Sequence, residues 1–163
     1  MAQGKIVAWY QGHGELGPRA LGNRSILMNP TIKDGKKILN DKVKKREWFR
    51  PFGASVKEEH ASEYFDLKHN PYMLFTSKVL SKDLDAVTHV DNTCRHQTVN
   101  VKQNEDFYNL LDSYQKITGM PVLLNTSLNL GGKPIASRPE EAIELMHTTE
   151  LDAVCIGDEV IVK

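Results

Sequence analysis

Residues 104–125, NEDFYNLLDSYQKITGMPVLLN, constrain the fold more than any other stretch. Phe107, Leu110, Leu111, Tyr114 and Ile117 recur at helical spacing, so one face of a helix over 105–118 is apolar. Asn104 can cap its start, and Gly119 with Pro121 ends it. The next segment, PVLLN (121–125), is apolar without alternation, the pattern of a strand covered on both faces. An amphipathic helix followed at once by such a strand requires a helix packed on a sheet.

The remaining segments extend that layer. KIVAWY (5–10), RSILM (24–28), FGASV (52–56), YMLFTSKVL (72–80), CRHQTVNV (94–101), DAVCIG (152–157) and EVIVK (159–163) read as strands from their β-branched and aromatic content. Helical patterns cover Lys33 to Arg46 and KEEHASEYF (57–65), and a single helical turn fits Pro18–Leu21. Ser137 and Glu140 have capping-box spacing, with Pro139 in the first turn of a helix reaching His147. Strands outnumber helices and several connections are short. The class is therefore α/β of α+β character: one domain over 1–163, a mixed sheet with packed helices and no clean βαβ series.

With 21 basic and 21 acidic residues among 163, formal net charge is zero, so bulk attraction to nucleic acid or an acidic membrane is not expected. Any anion must be recognised by local clustering. No apolar run approaches the roughly 20 residues of a membrane span, and KIVAWYQ is too short for a signal peptide. Two cysteines, Cys94 and Cys155, make no disulfide framework, which fits a reduced, cytoplasmic protein. Both ends fall at strand patterns, which fits one domain of a larger protein.

Three clusters could carry chemistry. GHGELGPRALGNRS (12–25) contains G-x-G-x-x-G, but Pro18 and Gly22 leave no room for the helix a dinucleotide loop requires. What remains are Arg19 and Arg24 flanking Gly22: either two guanidiniums aimed at one polyanion, or a glycine-rich turn with surface pairs. KVKKREWFRPF (42–52) interleaves Lys44, Lys45, Arg46 and Arg50 with Trp48, Phe49 and Phe52, which suits a nucleotide or a solvated helix face. NTSLNLGGKP (125–134) follows an apolar strand with hydroxyls and amides at Thr126, Ser127 and Asn129, either a phosphate- or ribose-binding loop or simple turn chemistry. SLNLGGKPI lacks the first glycine and the Ser/Thr of a phosphate loop, so Lys133 is not a Walker lysine. His89, Cys94 and His96 lack metal-ligand spacing, no metal site is expected, and nothing places a base beside Ser127 or Cys94.

Taken together, GPRALGNRSIL (17–27), NDKVKKREWFRPFGASV (40–56), THVDNTCRHQTV (88–99) and GMPVLLNTSLNLGGKPIASRPEEAI (119–143) closely resemble the C-terminal domain of the NodU/CmcH-type O-carbamoyltransferases. The resemblance runs from about Lys5 to the end, and its four motifs stand in the family's order. It implies a YrdC-like twisted mixed sheet. It also implies the K-x-R…S-x-N signature of threonylcarbamoyl-adenylate synthases, matched by Lys44–Lys45–Arg46 and Ser127–Leu128–Asn129.

By that resemblance the domain binds ATP, with Mg²⁺, and carbamoyl phosphate and forms carbamoyl-adenylate. An N-terminal actin/hexokinase-like domain, which holds a metal and the acceptor hydroxyl and has no counterpart in this sequence, completes the transfer. Implied catalytic residues are Lys44, Arg50 and Arg95; implied nucleotide-binding residues are Arg19, Arg24, Arg46, Ser127 and Asn129. The loop departs from the family's QGRMEFGPRALG at His13 and Gly14. Two other readings compete: a non-catalytic nucleotide- or anion-binding module, and nucleic-acid binding through KVKKREWFR, which the neutral net charge disfavours.

Overall fold

A computed structural model describes all residues, 1–163. In chain order the elements are β1 (Val7–Tyr10), β2 (Arg24–Met28), α1 (Gly35–Leu39), a π-helical turn (Asn40–Lys44), β3 (Gly53–Lys57), a 3₁₀ turn (Glu58–His60), α2 (Ala61–Tyr64), β4 (Ser77–Lys78), β5 (Thr93–Cys94), β6 (His96–Val99), α3 (Glu105–Thr118), β7 (Val122–Ser127), α4 (Pro139–Thr148), β8 (Ala153–Ile156) and β9 (Glu159–Val162). Seven strands form one sheet in the order β6-β3-β7-β2-β1-β8-β9, and β4 pairs with β5 separately. β3/β6 and β1/β8 are parallel while the other pairs are antiparallel, so the expected mixed sheet is present. No helix is long and apolar enough to cross a membrane.

β7 shows why PVLL reads as continuously apolar. Leu123 packs with Phe107, Leu111 and Tyr114 of α3 on one face of the sheet. Val122 and Leu124 face the larger core on the other side, with Val43, Phe65, Leu145 and Val154. α3 begins where Asn104 accepts the Phe107 N–H at 3.0 Å and ends at Gly119 in the left-handed region, as its sequence predicts. α4 also forms, but its capping carboxylate is Glu141, which accepts the N–H groups of Ser137 (2.7 Å) and Arg138 (3.3 Å), one residue beyond the expected Glu140.

Four expectations are corrected. No helical turn forms at Pro18–Leu21; instead one Glu15 carboxylate oxygen accepts the N–H groups of Leu21, Asn23 and Arg24 at 2.8–3.2 Å, gathering the segment into a loop. Gly22, at φ +103°, is required there, because a Cβ would stand 2.3 Å from the Phe107 ring. The 33–46 helix is α-helical only over Gly35–Leu39, then widens into the π turn and stops at Lys45 in the left-handed region.

The long strand expected at 72–80 shrinks to Ser77–Lys78. Buried Asn70 overrides the β-propensity: its amide donates to the carbonyls of Phe75 and His96 at 2.8 Å and its Oδ1 accepts from Leu74, leaving Met73 at φ +52°. The 94–101 strand breaks at Arg95, between β5 and β6. Each departure occurs where a side chain captures main-chain groups that a regular element would have used, or where the ladder is interrupted. Each delivers a residue to one end of the sheet: Arg19, Arg46, Met73 and Arg95.

Candidate active site

The shortened strands, the π turn and the 18–20 loop meet around a cleft of about 260 Å³ at the C-terminal end of β7. Its walls include Arg19, Arg46, Phe52, Met73, His89, Arg95, Asn125, Thr126 and Ser127, and no Asp or Glu. Six arginines exist in the chain. Arg50 and Arg138 pair with Glu47 and Glu141 at 3.4 Å, whereas Arg19, Arg46 and Arg95 form no ion pair. In a protein of zero net charge, three unpaired guanidiniums in one cleft are the chemistry of an anion site.

Electrostatics agree. Burial, then the nearby Arg95 guanidinium, pulls Arg19 below its ordinary pKa. Burial, then Arg50, does the same to Arg46. A bound polyanion would relieve both kinds of strain. Burial also holds the His89 imidazole below its usual range, so it is neutral at pH 7; its ring nitrogens lie 3.2 Å from Thr93 Oγ1 and 3.4 Å from the Phe52 carbonyl.

Arg46 is aimed from beneath. Buried Asn40, in the π turn, accepts Arg46 Nε–H at 2.8 Å and donates to the carbonyls of Trp48 and Arg50 at 3.1 Å. The guanidinium lies 4.7 Å over the Phe52 ring, which fixes its plane.

Behind the cleft stands Lys44, only 1% exposed. Its ammonium donates to the Ser127 carbonyl (2.8 Å), the Asn129 carbonyl (2.9 Å) and Asn129 Oδ1 (2.7 Å), with Ser127 Oγ at 3.4 Å. Ser127 Oγ in turn donates to Asn129 Oδ1 at 2.7 Å. The Lys44 carbonyl accepts Gly131 N–H at 2.8 Å, and a Cβ at Gly131 would lie 2.7 Å from that oxygen, so only glycine fits. Burial first, with Arg46 adding, lowers the Lys44 amine to about 7, while the surrounding oxygens favour its charged form.

The cleft therefore gathers Arg19, Arg46, Arg95 and Ser127 from the expected set. Lys44 and Asn129 do not line it; they hold the turn that presents Ser127. Arg24 and Arg50 stand elsewhere. Arg24 is 4% exposed, stacks 3.5 Å over Tyr10 and donates to the carbonyls of Gln11 (2.5 Å), Asn23 (2.9 Å) and Gly12 (3.2 Å). It braces the loop from inside because β2 pairs it with Tyr10 on β1. Arg50 is half-exposed, paired with Glu47, and absent from the walls.

Sequence reasoning assigned no role to Asn40, Met73, His89 or Asn125 in an anion site. Asn40, His89 and Asn125 lie within the motifs quoted above, but nothing in their residue types or spacing marked them individually.

The profile of the family described as "Carbamoyltransferase C-terminus" matches residues 1–163. The nodulation protein NolO of Bradyrhizobium diazoefficiens is 44% identical over 96% of this chain and 30% of its own length. A 3'-hydroxymethylcephem-O-carbamoyltransferase of Streptomyces clavuligerus is 36% identical over 97% of this chain and 30% of its own. The chain thus spans about 30% of these relatives. Among solved structures, full-length HypF in a phosphate- and nucleotide-bound form superposes with a TM-score of 0.64 at 16% identity, over 96% of this chain and 23% of that one, which bears on the fold alone. With the matched profile covering its whole length, this chain belongs to the carbamoyltransferase C-terminus family.

Proposed function

We propose that this domain binds ATP, with Mg²⁺, and carbamoyl phosphate, and forms carbamoyl-adenylate for an O-carbamoyltransferase. The observation that carries the reading is the cleft of three unpaired arginines beside the Lys44-anchored Ser127 turn. Making the adenylate requires water to hydrolyse carbamoyl phosphate to carbamate and phosphate, and a carbamate oxygen then to bond to the α-phosphorus of ATP while pyrophosphate leaves. Charge concentrates on phosphoryl oxygens in that step, so fixed guanidiniums and a hydroxyl lower the barrier without a protein nucleophile.

The acceptor hydroxyl belongs to a partner domain of the actin/hexokinase-like class, supplied by the rest of the longer protein or by another chain. Exposed apolar side chains adjoining the cleft segments in sequence suit docking of that domain. Exposed Leu16, Trp48, Phe49, Leu74, Phe75 and Val90 each lie within three residues of a cleft wall. The reading places the reaction in the cytoplasm, where ATP is available and Cys94 and Cys155 stay reduced.

The test is carbamoyl-phosphate-dependent exchange of pyrophosphate into ATP by the 163-residue chain. Exchange is expected, and Arg95→Ala should slow it roughly 100-fold, the usual loss for one oxyanion donor. ATP binding without exchange would leave a nucleotide-binding module. No ATP binding would remove the proposal.

A further inference from the structure

His89 is the one titratable residue of the cleft wall that is not an arginine. The turn that carries it is closed by its own backbone: His89 N–H donates to the Thr93 carbonyl at 2.8 Å, and Asn92 N–H to the His89 carbonyl at 3.0 Å. The half-buried ring sets Nδ1 3.2 Å from Thr93 Oγ1 and Nε2 3.4 Å from the Phe52 carbonyl.

Both of these neighbours can only accept. The Phe52 carbonyl has no proton to give. The single proton of the Thr93 hydroxyl is committed to Asp91 Oδ1 at 2.7 Å, an oxygen that also takes the Thr93 N–H at 3.1 Å. A neutral imidazole carries one N–H and fills one of the two contacts, leaving a ring lone pair against an oxygen at the other. The imidazolium fills both.

The charges around the ring are divided. Asp91, on the same turn, favours the imidazolium. Burial opposes it most, with Lys36 of α1 and Arg95 adding to the opposition. Lys36 stays close because its ammonium donates to the Thr88 carbonyl at 2.9 Å. The result is a neutral ring among partners suited to the charged one. An anion in the cleft reverses the balance, since it offsets Arg95 and adds its own negative charge to that of Asp91.

Resting on the reading of the cleft as a nucleotide site, we infer that His89 takes up a proton from solvent when ATP binds and becomes a fourth cation of the wall, so that nucleotide binding is coupled to proton uptake. His89 acts through its charge and needs no contact with the ligand; its two N–H groups stay with Thr93 and Phe52. Taken as a sphere, the cleft is roughly 8 Å across, and at that range a phosphate charge moves an imidazole titration by about one pH unit.

The test is an NMR titration of the wild-type chain from pH 5 to 9, following the imidazole signals of its six histidines, assigned through connectivity to the backbone. Without ligand His89 should titrate below the ordinary 6.5. With saturating ATP it should titrate about one pH unit higher, while His60 and His69, paired with Glu63 and Glu58 outside the cleft, should not move. Affinity gives a second readout. By linkage, wild-type ATP affinity relative to that of His89→Asn should fall by up to about tenfold as pH rises through the two His89 midpoints, and the ratio cancels the ionisation of ATP itself.

A His89 midpoint unchanged or lowered by ATP would overturn the inference and leave the proposed function standing. A ratio of affinities that does not vary with pH would overturn it as well. Absence of ATP binding would remove the proposed function, and with it the site on which the inference stands. The wild-type titration decides the matter even if the variant fails to fold.

Discussion

Lys44→Met separates the structural and electrostatic roles of the lysine behind the cleft. Met keeps the length of the buried stem and removes the ammonium that binds the Ser127 and Asn129 oxygens. Two opposing terms follow. Loss of three hydrogen bonds from a charged donor removes roughly 1.5 kcal/mol or more each. Against this, burying an ammonium whose pKa falls from 10.5 to about 7 costs about 5 kcal/mol, which Met escapes. The two nearly cancel, so the variant should fold with little net change at neutral pH.

The pH dependence exposes the second term. The folded pKa of Lys44 is depressed, so between about 7 and 10.5 the unfolded chain binds the proton and the folded chain does not. Wild-type stability must therefore rise with pH across that window, by up to about 4 kcal/mol between pH 7 and 10 at about 1.36 kcal/mol per unit. Urea unfolding of both proteins at pH 7, 8, 9 and 10 reads this as a difference in which other titrating groups cancel. The wild type should gain on Lys44→Met as pH rises. A pH-independent difference would refute the buried-ammonium reasoning, and ATP affinity unchanged by the variant would refute its role in holding the Ser127 turn.

Two further outcomes are expected. Arg24→Ala should lower stability by about 3 kcal/mol, because three carbonyls lose a charged donor and Tyr10 loses its stacking partner; thermal unfolding measures it, and an unchanged Tm would contradict the bracing role. Buried His96, stacked 4.1 Å from Phe65 with Nε2 unpartnered, has its pKa pushed by burial from 6.5 to about 4. Its neutral form is favoured in the fold, so stability is fully present above pH 6.5 and lost by about 3 kcal/mol as pH falls towards 4. His96→Phe should shrink the difference in unfolding free energy between pH 7.5 and 4.5 by that amount; an equal difference in both proteins would show that other groups govern acid sensitivity.

Short-range pattern was enough for the elements whose energetics are local. α3 follows from five apolar residues at helical spacing, one asparagine cap and one glycine stop, and β7 from an uninterrupted apolar run. Arg46 and Ser127 were visible as members of one signature, and Arg19 and Arg95 as members of motifs, because their chemistry is written in residue type. Position within the cleft was not legible. Arg19 and Arg24 stand five residues apart with the same charge, yet one lines the cleft and the other is consumed by three carbonyls.

The sequence by itself determined a mixed sheet with helices packed on it, a central strand buried on both faces, and a supply of cations without a net charge to spread them. Only the tertiary structure decided which cations remain unpaired and where the strand at 72–80 gives way to an Asn70-centred loop. The reason is distance along the chain. Lys44 meets Ser127 across 83 residues and Asn125 meets Ala20 across 105. Such contacts depend on strand register and on which side chains capture free main-chain groups, and neither is encoded within any one segment.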